Sequence, residues 1–204
     1  MKFVLFCEGW TEQSALPDFL RRWLNSKLPA KVGVQPVRFN GWPEMVKDSP
    51  TKARFHLAKP DVIAVVALLD LYGPTFYPTN RSTVADRYAW AKAFLEEKVS
   101  NPRFHQYFAV HEIEAWILSQ PDVLPSEVRK RLPATHVKPE TINFNEPPAA
   151  LLNRLYEEAT KRGYKKRVYG EELFRALDPQ VVWEKCPYFR QLADELVDLA
   201  KKAL

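Results

Sequence analysis

The feature that most constrains this chain is the run from Val62 to Leu69, eight consecutive apolar residues closed abruptly by Asp70. A segment apolar on both faces has to be covered on both sides, which is the situation of a central strand in a parallel sheet. The carboxylate that ends it then falls at the strand's carboxyl end, where open α/β sheets gather their functional groups.

The neighbouring segments build the same picture. Phe3 to Cys7 is a β-prone apolar run, and the cluster Glu8 to Glu12 reads as a turn. A helix follows, with Leu16, Phe19, Leu20, Trp23 and Leu24 at helical spacing; Thr11 is the expected N-cap and Pro17 is placed in the first turn. Val32 to Phe39 alternates as a second strand. Glu44 to Lys59 reads as a helix interrupted at Pro50, Gly73 to Ser82 as a loop and Val84 to Val99 as a helix. A last strand over Tyr107 to Val110 runs into His111 to Trp116. Beyond Ser119 six prolines, from Pro121 to Pro148, break the chain into short helices. Strands alternating with helices predict an α/β fold: a mainly parallel sheet flanked by helices, with a helical carboxyl-terminal part from about residue 120. No repeat or boundary divides the chain, so a single domain over residues 1–204 is expected.

Composition narrows the function classes. Thirty Lys and Arg against 25 Asp and Glu give a net charge of +5, which favours a polyanionic partner mildly and equally suits an ordinary soluble protein. Cys7 and Cys186 form no zinc or disulfide pattern, no apolar run approaches a membrane span, and the first strand is too short for a signal peptide; a cytoplasmic protein is expected. There is no P-loop, no GxGxxG after a strand and no GxSxG elbow, which argues against nucleotide hydrolysis and dinucleotide binding.

What remains is acidic. Glu8 follows the first strand, Asp70 the central one, and Glu112 and Glu114 the last. Carboxylate oxygens suit a hard ion such as Mg²⁺ or Mn²⁺, which can bind a phosphate oxygen and acidify an attacking water. Each has a plainer reading: Glu8 as a turn residue near a helix start, Asp70 as a cap, Glu114 as a solvated or capping group. If the last strand continues, Glu112 and Glu114 share a face; if a helix begins at His111, Glu112 stacks over Trp116 and Glu114 points elsewhere, and Glu112 ranks first. His111 reads as a ligand or base, or as a hydrogen-bonded structural residue.

The ordered segments FCEGWTE (Phe6 to Glu12), LLDLYG (Leu68 to Gly73) and HEIEAW (His111 to Trp116) resemble the motifs of Toprim-like proteins. With Asn145-Glu146-Pro147-Pro148, Tyr164-Lys165-Lys166 and Lys185-Cys186-Pro187-Tyr188-Phe189, nearly the whole chain resembles the domain of unknown function family 4276. The resemblance implies a Toprim-type sheet with Glu8 after strand one and Asp70 opening the central acidic motif, Mg²⁺ as the usual cofactor, and kinship with overcoming-lysogenization-defect-type nucleases. It also implies an ATPase partner in mobile-element or phage defence. The chain departs from the wider pattern where Tyr72 stands in place of the second aspartate of DxD.

These readings lead to a Mg²⁺- or Mn²⁺-dependent nuclease acting on nucleic acid, with Glu8, Asp70 and Glu112 as catalytic and metal residues and Glu114 as a further ligand. Lys165 and Lys166 contact the phosphate backbone, with Arg167 a solvated helix end. The alternative is a non-catalytic subunit that binds nucleic acid or regulates an ATPase, for which Trp10, Trp42, Phe76 and Tyr77 are either interface aromatics or loop anchors.

Overall fold

The computed structural model describes residues 1–141 and 146–204; Asn145, which opens one of the family-like motifs, lies outside the described residues. The elements run β1 (Lys2–Cys7), α1 (Trp10–Lys27), β2 (Gly33–Arg38), α2 (Trp42–Leu57), β3 (Val62–Asp70), α3 (Val84–Val99) and β4 (Phe104–Ala109). The carboxyl-terminal part is helical: α4 (Glu114–Ser119), α5 (Ser126–Arg129), α6 (Pro148–Thr160), α7 (Lys166–Ala176), α8 (Pro179–Lys185) and α9 (Pro187–Ala203), with short 3₁₀ turns between α4 and α6. No helix among the described residues is long and apolar enough to cross a membrane.

Among the described residues, four strands form one all-parallel sheet in the order β2-β1-β3-β4. The apolar run is therefore an interior strand, flanked by β1 and β4, and its side chains alternate between two cores. Ala64, Val66 and Leu68 face α1 and the carboxyl-terminal helices together with Phe19, Trp116, Phe174 and Phe189. Val65, Ala67 and Leu69 face the other side with Met45, Leu57, Tyr88 and Leu95 from α2 and α3. The first cluster extends from Phe3 to Ala200, so the late helices complete the core that the first strand begins. This is the α/β architecture that the sequence predicts.

Three local expectations are corrected. Helix α1 begins at Trp10 with Gly9 as N-cap, so Thr11 is not the cap and Pro17 lies inside the helix. Helix α2 likewise runs through Pro50 without a break. An interior proline costs about 3 kcal/mol, and here burial on both sides of it offsets that cost: Thr11, Glu12 and Ala15 precede Pro17 while Phe19, Leu20 and Trp23 follow it. Around Pro50, Met45 and Ser49 precede and Ala53 and Leu57 follow, all buried.

The carboxyl-terminal part has its own buried acid. Glu140 accepts hydrogen bonds from the N–H groups of Tyr188 at 2.8 Å and Phe189 at 3.3 Å, capping α9 from outside. Burial pushes its carboxyl from 4.5 up to about 7, against the opposing pull of those two N–H groups and Arg190. The folded state thus holds this proton more tightly than the unfolded chain, and stability falls as pH rises from the unfolded value through about 7. Glu140→Gln keeps an acceptor for α9 and removes the titration. We expect urea unfolding of the wild type to lose about 1–3 kcal/mol between roughly pH 5 and pH 8 from this group, and the variant to lack that component of the slope.

Candidate functional site

Because all four strands are parallel, their carboxyl ends share one edge, and the side chains singled out in the sequence emerge there. Cys7 lies opposite Leu68 and Asp70 opposite Ala109, so the ends of β1, β3 and β4 are neighbours. Glu8 directly follows β1, Asp70 is the last residue of β3, and Glu112 and Glu114 lie just beyond β4. Neither sequence alternative for the last segment holds: the strand stops at Ala109 and the helix begins at Glu114.

One cation joins the group. The Lys166 ammonium lies 3.0 Å from Glu12, 3.4 Å from Glu114 and 3.5 Å from Asp70. Lys166 is the first residue of α7, where a positive charge opposes the helix dipole; the three carboxylates account for its placement. Two close approaches bring it there. A Cβ on Gly170 would fall 2.6 Å from Thr11 Cγ2, so this glycine lets α7 pack on the first turn of α1. Thr11 also donates its hydroxyl to the Lys166 carbonyl at 3.4 Å. At the start of α1, a Cβ on Gly9 would lie 2.7 Å from Glu12 Oε2, so the carboxylate occupies the space the glycine leaves open.

Backbone donors hold Asp70 and the remaining acids. Asp70 accepts from Ile113 N–H at 3.0 Å, Glu8 from Trp42 N–H at 3.2 Å and Glu112 from Ala149 N–H at 2.8 Å. The structure thus places Glu112 at the start of α6, whereas Glu114, ranked second in the sequence, is wholly buried against Lys166. Lys165 is the exposed N-cap residue of α7, and Arg167 is exposed beside it. Tyr72 is 40% exposed, and its N–H donates to the His111 carbonyl.

The electrostatics follow from burial and crowding. Burial raises the Asp70 carboxyl well above its usual range; Lys166 opposes this, and Glu12, Glu114 and Glu8 add to it. Burial likewise raises Glu114, with Lys166 again opposing and Glu112 and Glu12 adding. Glu8 is raised by burial and then by Glu12, and Glu112 by burial. Burial works against the Lys166 charge, but Asp70, Glu114 and Glu12 outweigh it and hold the ammonium protonated. His111 is buried and its imidazole is pushed down by burial and Arg87, which favours a neutral ring.

The donors are oxygens throughout, the set a hard divalent ion takes. Among the described residues no three Asp, Glu, His or Cys side chains are spaced to hold an ion as they stand, and the cation that the carboxylates share is the lysine's own. Glu114 Oε2 is ion-paired to Lys166, and its buried Oε1 has no hydrogen-bond partner.

The family model for a domain of unknown function, DUF4276, matches residues 7–197 and so spans every residue of this cluster. The chain belongs to the DUF4276 family. Among solved structures, this DUF4276 chain is similar to the C-terminal region of the Burkholderia pseudomallei OLD protein, with 15% identity over 99% of this chain and 98% of that one and a TM-score of 0.48. It is also similar to the C-terminal region of the Xanthomonas campestris pv. campestris OLD protein, with 16% identity over 98% and 94% of the two chains and a TM-score of 0.45. Among curated proteins nothing matches it.

Sequence reasoning missed Glu12. It was placed in a turn, but with α1 starting at Trp10 it lies on the stripe continued by Leu16, Phe19 and Trp23, and it is buried. A carboxylate on an apolar helical stripe was the available signal. The DUF4276 protein should depend on Lys166 for stability, because removing one partner of a buried ionic group strands the others. We expect Lys166→Met to cost about 2–3 kcal/mol in chelator. That is below the usual loss for a buried pair because a third of the lysine side chain is exposed and the acids can take up protons instead. Urea unfolding checks this, and an excess of Mn²⁺ should return part of the loss.

Proposed function

We propose that the chain is a divalent-metal-dependent nuclease, folded as a single Toprim-like domain over residues 1–204, and that the carboxylates around Lys166 are its reaction centre. The observation that supports this most is the convergence of Glu12, Asp70 and Glu114 on one ammonium at the carboxyl edge of the sheet. Carboxylates that share one cation are arranged to hold positive charge, and Glu114 Oε1 makes no hydrogen bond of its own.

Glu8, Asp70 and Glu114 would hold Mg²⁺ or Mn²⁺, with Glu12 beside them. When bound, such an ion supplies charge neutralisation at a phosphate oxygen and a more acidic water. The chain's own groups do the rest. Glu8 is half-buried, and its raised carboxyl can accept the proton of an attacking water at a carboxylate oxygen. The Lys166 Nζ can leave its carboxylates for a phosphate oxygen, placing a donor where negative charge develops. Glu112 fixes the start of α6 through Ala149, and in this reading it positions the link that leads through Ile113 into Glu114 of α4. Lys165, exposed at the start of α7, is aimed at the flanking backbone.

One observation favours a second reading. Tyr72 supplies no carboxylate at the position where a second acid would stand, which suits a chain that binds nucleic acid or an ATPase without cutting. The two readings part in a cleavage assay with Mg²⁺ or Mn²⁺ on single- and double-stranded DNA and RNA, with and without a genomically neighbouring ATPase. Asp70→Asn and Glu114→Gln should each lower metal-dependent cleavage by on the order of 10²-fold while circular dichroism stays native. A wild type that binds but cuts nothing, indistinguishable from Asp70→Asn, overturns the nuclease reading in favour of the second.

A further inference from the structure

The most exposed tryptophan lies two residues after Glu8. Trp10 is 54% exposed, whereas the other five tryptophans are buried or half-buried. Trp42, Phe76 and Tyr77 prove to be loop anchors: Trp42 and Phe76 rings lie 5.6 Å apart, Phe76 and Tyr77 rings 4.8 Å apart, and the Tyr77 hydroxyl donates to the Leu71 carbonyl. Trp10 has no such task. It is the first residue of α1, and the buried stripe of that helix starts only after it.

Two guanidinium groups lie over its ring, Arg38 at 4.2 Å and Arg167 at 5.5 Å from the centroid. They come from opposite parts of the chain. Arg38 ends β2 opposite Cys7 of β1, and its guanidinium is held by the Asn40 side chain at 2.8 Å. Arg167 follows Lys166 in the first turn of α7. Each of the three residues is thus tied to the carboxylate cluster: Trp10 lies two residues after Glu8, Arg38 faces the strand end that bears Glu8, and Arg167 adjoins Lys166. The result is an indole with two cations at the rim of an acidic centre.

We propose that Trp10, Arg38 and Arg167 form a stacking platform for single-stranded nucleic acid that feeds the carboxylate site, an inference resting on the nuclease reading. A planar π surface flanked by guanidinium groups matches a nucleobase and its phosphates: the ring and the guanidinium planes stack against the base, and the positive charges pair with the backbone. Base faces are accessible only where the strand is unpaired, because a duplex buries them against their neighbours. Two arginines outside the acidic cluster also give the backbone a cationic approach to a centre that would otherwise repel it. The bound strand would lie with one base on Trp10 and the next phosphate toward Lys166.

The test is binding, read separately from cleavage. Fluorescence anisotropy in chelator would follow a labelled strand of about 12 nucleotides, as DNA and as RNA, single-stranded and as its duplex. Trp10→Ala is expected to weaken single-strand binding ~10-fold and duplex binding by far less, while Trp10→Phe retains most of the affinity; circular dichroism and urea unfolding confirm that both variants fold. Equal loss on single strand and duplex, no loss on either, or a wild type that binds no nucleic acid each overturns the platform. Cleavage with Mn²⁺ is then measured on the same strands. Selective binding through Trp10 without cleavage removes the nuclease reading and leaves the platform standing, and cleavage unaffected by Trp10→Ala at subsaturating substrate removes the platform alone.

Discussion

The interaction on which the rest depends is the contact of one ammonium with three carboxylates at the edge of the sheet. Glu114 is fully buried and Glu12 nearly so, and an uncompensated ion in such surroundings is costly. Lys166 is what makes the arrangement tenable. It arrives on α7, whose docking on α1 relies on the missing side chain of Gly170 beside Thr11. Electrostatics at the edge and packing in the core therefore impose the same geometry: the late helices have to return to the first one, and the cluster from Phe3 to Ala200 is the apolar record of that return.

Much of this was legible in the sequence, and for definite reasons. The run from Val62 to Asp70 identified its strand and its position because no edge strand is apolar on both faces for so long. Helix α3 matched its predicted limits, with Thr83 capping it through Asp86 N–H. Asp70 and Glu8 were placed at the correct edge because parallel topology leaves only one edge for strand ends. The misreadings share a cause. Pro17, Pro50 and the supposed turn from Glu8 to Glu12 were judged by local propensity, and tertiary burial prevailed at each. With α1 read as starting after Glu12, that residue falls off its apolar stripe. The ranking of Glu112 over Glu114 turns on where strand gives way to helix, and the four-residue irregular link from Val110 to Ile113 is not visible in the pattern.

The basic segment illustrates a different limit. Lys165, Lys166 and Arg167 are equivalent in composition, yet their side chains have three separate surroundings: solvent, the carboxylate cluster and the Trp10 ring. Helical geometry separates adjacent residues by about 100°, so a run of like charges is divided by the backbone into distinct roles. A positive net charge of five likewise conceals a cluster of acidic side chains gathered at one edge of the sheet.

The separation of Lys166 from Asp70, 96 residues along the chain, has a consequence for biosynthesis. A nascent chain emerges with its strands and its acids first, and it has the means to pair β1, β2, β3 and β4 before α7 exists. During that interval Glu12, Asp70 and Glu114 lack their internal counter-charge. Closure of the acidic centre thereby waits for α7, and a polypeptide made only as far as β4 and α4 holds the acids of the site without the lysine that organises them.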